Sequence, residues 1–248
     1  MKVKAIKTKK VVVGDKLFDI LDNSLPHLNE KDVLVITSKI VSITQGNVIK
    51  NDGRIDKLDL IKKEADLLMP ERYLRFGVHL TIKNNLMIGS AGIDESNGNG
   101  YFILWPKNLR ETTNNIWKYL RNKHKIKYLG IIVSDSHSSP FRRGAVGFGI
   151  SWCGFEPLIS YVNKPDIFGR LLKYEHMNVV DNIAGAATLE MGEGNEQTPI
   201  AIANQINHIK FVNRTPNEKE IEETTITLDT DIYSGMFNKT EWKKDKKQ

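Results

Sequence analysis

Residues 128–136, YLGIIVSDS, decide the fold of this chain. Their apolar run ends abruptly in polar residues, a pattern typical of a strand buried on both faces whose carboxyl end opens into a site. Before this strand, residues 107–124 predict an amphipathic helix, because apolar side chains recur in a charged setting at Leu109, Ile116, Trp117 and Leu120. After it, the glycines of residues 144–150 suit a strand or bulge that lets another backbone approach.

The first third of the chain predicts one strand and two helices. Residues 32–43, DVLVITSKIVSI, read as a single strand with a polar Thr-Ser-Lys interruption. Residues 16–25 have apolar side chains at helical spacing, and Asp15 is available to cap that helix. Residues 57–69 form a second helical pattern, which we expect Pro70 to end.

The remaining segments predict a hairpin, a helix and a further strand. Residues 80–94 read as a hairpin that turns at Asn84-Asn85 and leads into the loop DESNGNG. Residues 178–191 read as a helix with small residues on one side, followed by the loop GEGNEQTP at 192–199 and a strand from residue 200. Because no repeat and no low-complexity linker divides the chain, we predict one interwoven α+β domain over residues 1–248, with mixed sheets and packed helices.

The composition narrows the class of protein. The hydrophobic fraction of 40% and the charged fraction of 27% are those of an ordinary folded chain. Cys153 is the single cysteine, which excludes a disulfide framework and a cysteine-based zinc site, and favours a cytoplasmic protein. The N-terminal residues lack the apolar core of a signal peptide, and no apolar run is long enough to span a membrane.

The net charge of +6 comes from the two ends of the chain. Residues 1–10 carry +5 and residues 239–248 carry +3, so the body between them carries −2. Clusters at the ends are more often solubilising tails than a nucleic-acid surface, which needs its basic residues on one folded face. We therefore expect a basic tail at about 239–248 and no nucleic-acid partner.

Four polar clusters lie where predicted strands or helices give way to loops. They are Ser38-Lys39, Asp94-Glu95-Ser96-Asn97, Asp135-Ser136 followed by Arg142-Arg143, and Glu190 to Glu196. Their oxygen ligands favour magnesium or manganese over zinc, and their Lys and Arg residues favour a phosphate ligand. The clusters together predict a metal-nucleotide site, although the P-loop, dinucleotide, GxSxG and HExxH motifs are all absent.

Each cluster also has a structural interpretation. The DES sequence could be an Asx-stabilised turn, Lys39 a solvent-facing edge-strand residue, and Arg142-Arg143 a solvated turn. His137 could be a general base beside Asp135 or a surface residue. Cys153 lies between Trp152 and Phe155 and reads as a buried structural thiol rather than a nucleophile.

The order of these clusters resembles the coenzyme F420-0:gamma-glutamyl ligases and their bacterial relatives. The matching stretches span nearly the whole chain: GDKL (14–17), VLVITSKIVS (33–42), AGIDESN (91–97), IIVSDS (131–136), PFRRG (140–144), DIFGR (166–170), VVDNIAGAATLEMGEGNEQTP (179–199) and DIY (231–233). The chain departs from the family at residues 8–11, where a Leu-Pro pair is common, at Ile43, where a lysine is common, and at residues 136–140.

The resemblance implies a family-specific fold, an intertwined homodimer, and a GTP-dependent ligase that needs Mg²⁺ or Mn²⁺. It implies that GTP phosphorylates a carboxylate of the acceptor and that the amine of L-glutamate attacks the acyl phosphate. The implied catalytic residues are Asp94, Asp135 and Arg142. The implied metal ligands are Asp94, Asp135, Ser136 and Glu196, with Glu193 as the second choice for the loop acid. The implied nucleotide-binding residues are Ser38, Lys39, Asn97, Gly192, Glu193, Gly194 and Asn195.

The sequence therefore favours a nucleotide- and metal-dependent ligase that joins L-glutamate to a carboxylate acceptor, as in glutamylation of coenzyme F420-0. Two alternatives stay open at this point: a sibling amino-acid ligase acting on another acceptor, and a non-catalytic metal-nucleotide sensor with the same fold.

Overall fold

A five-stranded mixed sheet forms the centre of the computed structural model, which describes residues 1–244. Within these residues, twelve strands are present: β1 (Lys2–Ile6), β2 (Val33–Thr37), β3 (Val48–Lys50), β4 (Leu67–Leu68), β5 (Leu80–Lys83), β6 (Leu86–Gly89), β7 (Tyr101–Ile103), β8 (Gly130–Ser138), β9 (Ala145–Cys153), β10 (Leu158–Ser160), β11 (His176–Asn178) and β12 (Ile200–Asn204). The helices are α1 (Leu17–Ser24), α2 (Ser38–Thr44), α3 (Lys57–Glu64), α4 (Leu109–His124), α5 (Val179–Met191), α6 (Glu218–Thr224) and α7 (Ser234–Phe237), with short 3₁₀ turns at Glu71–Tyr73 and Ser90–Gly92.

The central sheet has the strand order β1-β12-β2-β8-β9. Strands β2 and β8 run parallel, and the other neighbouring pairs are antiparallel. Smaller sheets pair β3 with β7, β10 with β11, and β4 with β5 and β6. The predicted α+β class with mixed sheets is confirmed.

Both faces of the sheet are covered, as the apolar sequence of β8 predicts. Side chains from α1, α2 and α4 form one core with the sheet, in which Leu21, Val41 and Leu120 are fully buried. Helix α5 forms the core on the other face, where its small residues Ala184 and Ala187 are fully buried. The predicted amphipathic helix and small-residue helix are therefore both confirmed.

The glycines of β9 permit close packing of α5. A Cβ atom at Gly147 would lie 1.9 Å from Thr188 Oγ1 and 2.8 Å from the Ala184 carbonyl oxygen. A side chain at this position would therefore force the helix away from the strand. The predicted close approach of another backbone is confirmed.

The predicted hairpin is confirmed, with β5 and β6 joined by Asn84 and Asn85, both at positive φ. Such φ values belong to the tight turns whose twist matches that of paired strands, and asparagine tolerates them. A bulge between Val133 and Ser134 shifts the register of β8 against β9. Beyond this bulge the strand becomes polar and leads into the cavity described below.

Three local predictions were wrong. Residues 32–43 are not one strand, because β2 ends at Thr37 and helix α2 begins at Ser38. The helix at 57–69 ends at Glu64, well before Pro70, and residues 67–68 form β4 instead. Asp15 does not cap α1; its carboxylate accepts from Lys9 Nζ and from the Val12 amide. Only for residues 67–68 does a tertiary contact, the pairing of β4 with β5, outweigh the local sequence signal.

The basic ends also differ from solvated tails. Residues 2–6 form β1, which pairs with β12 at the edge of the central sheet. Near the other end, the backbone of Lys243 exchanges two hydrogen bonds of 2.9 Å with Leu68, and Glu241 pairs with Arg72 at 2.7 Å. Residues 245–248 of the predicted basic tail lie outside the described residues. Over residues 1–244, no helix has the length and apolar character needed to cross a membrane.

Candidate functional site

A cavity of about 730 Å³ lies at the carboxyl ends of the parallel strands β2 and β8. Ligands of open sheets with parallel strands commonly bind at this edge, where the chain leaves the strands in loops. Three further segments complete the wall: residues 8–12 after β1, the loop after the Ser90–Gly92 turn, and the glycine-rich loop after α5. The cavity therefore gathers residues from all four predicted polar clusters, although Glu95, Ser96, Arg142, Arg143 and Glu190 do not line it.

Lys39 and Asp94 form an ion pair in the cavity wall. Lys39 Nζ lies 2.7 Å from Asp94 Oδ2 and donates to the carbonyl and hydroxyl oxygens of Ser96 at 3.0 and 2.9 Å. Ser96 donates its amide and its hydroxyl to Asp94 Oδ1. Burial raises the pKa of Asp94, but the charge of Lys39 and these hydrogen bonds outweigh burial and hold the pKa below its usual value. Asp94 is therefore ionised at neutral pH, and Lys39 lies in the first turn of α2 rather than on an edge strand.

Asp135 is the more deeply buried acid of the site. Its Oδ2 accepts from Ser38 Oγ at 3.0 Å and its Oδ1 from the Ser136 amide at 2.8 Å. Burial raises the pKa of Asp135 to about 6, and the negative charge of Asp94 adds to this effect while the two hydrogen bonds oppose it. The cavity thus holds two carboxylates whose pKa values are displaced in opposite directions, which is a common feature of functional sites.

The glycine-rich loop brings its two acids to different places. Glu193 Oε2 lies 3.4 Å from the hydroxyl of Ser136, which donates to it. Glu196 instead folds back on its own loop, where Oε2 accepts from the Gly194 amide at 2.8 Å. Asn97 ties the two loops together by donating to the Gly194 carbonyl at 2.8 Å. Glu193 is therefore the loop acid that contacts Ser136, and the assignment of Glu196 to a metal stays a prediction.

Arg142 does not line the cavity. It lies in the exposed turn between β8 and β9, beside the fully exposed Phe141, and its amide donates to the Ser139 carbonyl. His137 also lies outside the cavity lining, and its ring packs edge-on against Phe148 with a centroid distance of 4.7 Å. Within one copy of the chain, Arg142, which was predicted to be catalytic, therefore lies apart from the other predicted site residues.

Residues 8–12 line the cavity, although none of them was predicted as a site residue. The Thr8 amide donates to the Gln197 carbonyl at 3.1 Å, and Gln197 Nε2 donates back to the Thr8 carbonyl at 2.5 Å. The lysines of this segment were counted with a basic tail. The sequence feature that could have indicated a role for this segment is its departure from the family pattern at residues 8–11, close to the matching GDKL motif.

The donor chemistry of the cavity fits a hard divalent cation. Asp94, Asp135, Ser136 and Glu193 offer oxygen atoms and no thiol or imidazole, as Mg²⁺ and Mn²⁺ prefer. Within residues 1–244, no three Asp, Glu, His or Cys side chains are already grouped as a metal cage. The carboxylates of Asp94 and Asp135 suit Mg²⁺, which commonly takes one or two carboxylates and completes its shell with water and substrate phosphates.

Fold and site together define an α+β protein with a polar, oxygen-rich cavity at the carboxyl edge of its central sheet. The family model for F420-0:Gamma-glutamyl ligase matches residues 5–205, so the chain belongs to that family. It is 31% identical to the coenzyme F420:L-glutamate ligase of Methanocaldococcus jannaschii over 71% of this chain and 76% of that protein. It is 30% identical to the Methanopyrus kandleri ligase of that name, over 78% and 82% of the two chains. The Methanosarcina mazei ligase of that name is 28% identical, over 82% and 85%.

Proposed function

We propose that this protein is a GTP-dependent ligase that adds L-glutamate to a carboxylate of coenzyme F420-0. The observation that carries the proposal is the cavity in which Lys39, Asp94 and Asp135 meet, in a chain that belongs to the gamma-glutamyl ligase family. The relatives at about 30% identity are named as ligases of coenzyme F420 and L-glutamate, which supports the choice of substrates.

The reaction proceeds in two transfers. In the first, a carboxylate oxygen of the acceptor attacks the γ-phosphorus of GTP, and GDP leaves with the electron pair of the broken P–O bond. In the second, the amine of glutamate attacks the carbonyl carbon of the acyl phosphate, inorganic phosphate leaves, and the amine loses a proton. Phosphoryl transfer of this kind is accelerated mainly by positioning and by charge stabilisation.

The cavity residues divide into two groups in this proposal. Asp94, Asp135 and Ser136, with Glu193 or Glu196, hold Mg²⁺ or Mn²⁺, which supplies positive charge to the phosphates when it is bound. The nucleotide is held by the remaining polar groups of the wall: Ser38, Lys39, Asn97 and the backbone of Gly192–Asn195. Since Lys39 already contacts Asp94 at 2.7 Å, it links the two groups.

We further propose that the protein acts as a homodimer. Residues 158–178 form an arm in which β10 and β11 pair for three residues each and the chain turns back near Gly169. The arm exposes four large apolar side chains, Ile167 (92%), Phe168 (90%), Leu171 (55%) and Tyr174 (84%). The base of the arm is held by Ile159, which packs against the core beside α5, but the tip exposes an apolar surface of the kind that marks an interaction site. A second copy that covers the arm accounts for this exposed surface.

The dimer is tested by sedimentation of the wild-type protein and of an Ile167→Asp, Phe168→Asp double variant. We expect a dimer for the wild type and a monomer for the variant. A monomeric wild type at micromolar concentration would remove the proposal of a dimer and leave the ligase proposal untouched.

The ligase activity is tested by incubating the protein with GTP or ATP, Mg²⁺ or Mn²⁺, L-glutamate and F420-0, and detecting the glutamylated product by mass spectrometry. We expect product with the wild type and at least 100-fold less with Asp94→Ala, because loss of one charge-positioning group commonly costs about 10²–10³ in rate. Asp59→Asn is the matched control, since Asp59 is an exposed acid of α3 outside the cavity. Nucleotide binding without product across a panel of carboxylates would contradict the ligase and favour a sensor.

A further inference from the structure

The cavity wall contains three lysines, and two of them already have carboxylate partners. Lys39 pairs with Asp94 at 2.7 Å, and Lys9 pairs with Asp15 at 2.5 Å. The third, Lys10, is exposed, and among residues 1–244 its ammonium group has neither an ion pair nor a side-chain hydrogen bond. Lys10 therefore lines the cavity with its charge uncompensated.

The backbone on both sides of Lys10 is held in place. On one side, buried Thr8 exchanges two hydrogen bonds with Gln197, which follows Glu196 in the glycine-rich loop. On the other side, the Val12 amide donates to Asp15 Oδ2 at 2.9 Å, and the Asp15 amide donates to the Val12 carbonyl at 3.1 Å. The segment is thus fixed against the wall, while the side chain of Lys10 is free to meet a ligand.

We propose that Lys10 binds a phosphate group of a substrate in the cavity. A lysine ammonium is a compact charge with three donors and is a common binder of phosphate. Lys10 stands on the same wall as the glycine-rich loop, so it adds a cation to a site that otherwise presents four acids: Asp94, Asp135, Glu193 and Glu196. Because Lys39 and Lys9 already pair with Asp94 and Asp15, Lys10 is the lysine whose charge can offset part of the repulsion that these acids exert on a polyanion.

The identity of the substrate that carries the phosphate rests on the proposed function. The binding of phosphate by Lys10 does not. The first experiment is therefore calorimetric titration with inorganic tripolyphosphate of wild type, Lys10→Ala, Lys10→Arg and Lys7→Ala. Lys7 is an exposed lysine three residues away that does not line the cavity, which makes it the matched control. We expect about tenfold weaker binding for Lys10→Ala, a change of less than about threefold for Lys10→Arg, and no change for Lys7→Ala.

The second experiment measures KM for each substrate in the ligase assay. A rise in the KM for GTP alone in Lys10→Ala assigns Lys10 to the nucleotide, and a rise in the KM for the acceptor alone assigns it to a phosphate of the acceptor; kcat changes little in either case. The proposal is overturned if Lys10→Ala binds tripolyphosphate as tightly as wild type, or if none of the proteins binds it. If the wild type binds tripolyphosphate through Lys10 but makes no glutamylated product, the ligase proposal fails and the role of Lys10 stands.

Discussion

Replacing Asp135 with asparagine is expected to stabilise the metal-free protein at neutral pH. The carboxylate is buried, and its pKa of about 6 lies above the ordinary value of 3.8. Holding such a group ionised in the folded state at pH 7 or above costs about 3 kcal/mol. The single asparagine oxygen can still accept from the Ser136 amide, while the amide group that replaces the other oxygen must donate to the Ser38 hydroxyl or find a new partner, at a cost of about 1 kcal/mol. The net expected gain is about 2 kcal/mol.

The difference in the free energy of unfolding between Asp135→Asn and the wild type is expected to depend on pH. Between about pH 4 and pH 6, the folded wild-type protein holds more protons on Asp135 than the unfolded chain does. The free energy of unfolding of the wild type therefore falls through this range as the pH rises, and Asp135→Asn lacks that loss. The advantage of the variant is expected to be largest above pH 7, to vanish at about pH 4.5, where the penalty on the wild type equals the cost of the amide group, and to reverse at lower pH.

Urea unfolding at fixed protein concentration, with a chelator present, measures this difference. For an m-value of about 2–3 kcal/mol/M, the midpoint of Asp135→Asn should rise by about 0.7–1 M at pH 7.5. Asp94→Asn is the control of opposite sign, because the pKa of Asp94 is held below its usual value and its ionised form stabilises the fold at neutral pH. An unchanged or lower midpoint for Asp135→Asn at pH 7.5 would refute the reasoning.

Three further predictions concern packing and metal affinity. Gly147→Ala is expected to destabilise the protein by about 1–3 kcal/mol in urea unfolding, because the new Cβ would meet Thr188 Oγ1 at 1.9 Å; Gly235→Ala, in open space, is its control. Leu120→Ala, which removes a fully buried side chain of α4, should cost about 2–5 kcal/mol in the same assay. Mn²⁺ affinity, measured by electron paramagnetic resonance, should fall by up to about tenfold for each pH unit below about 6, because protons compete for Asp135.

A specific result would contradict each of these three predictions. Equal midpoints for the two glycine variants would show that α5 can move away from β9 at little cost. A change below 1 kcal/mol for Leu120→Ala would contradict the packing of α4 on the sheet. Mn²⁺ affinity that stays constant between pH 5 and pH 7 would remove Asp135 from the proposed metal ligands.

Much of the fold followed from local sequence because side-chain periodicity reports which faces are buried. Strand β8, helix α4 and the hairpin at Asn84-Asn85 were each predicted from a short segment. Helix α2 was not, because the apolar and β-branched residues of 38–43 fit a strand as well as a buried helix. Its start at Ser38 is visible only once the chain leaves the sheet at Thr37.

The acids and Lys39 could be identified as site residues from the sequence, but the contacts between them could not. Lys39 and Asp94 are 55 positions apart, and the fold alone brings them to 2.7 Å. Contacts between distant parts of the chain also decide that Arg142 lies outside the cavity and that residues 8–12 line it.

The sequence by itself determined the α+β class, the oxygen-rich character of the site and the family resemblance, since these depend on residue types and their order. Only the tertiary structure decided that Asp94 is paired and Asp135 buried, and that Lys10 lines the same cavity with no ion-pair partner among residues 1–244. The physical reason is that burial and charge pairing act through space. They are set by segments that meet only in the folded chain.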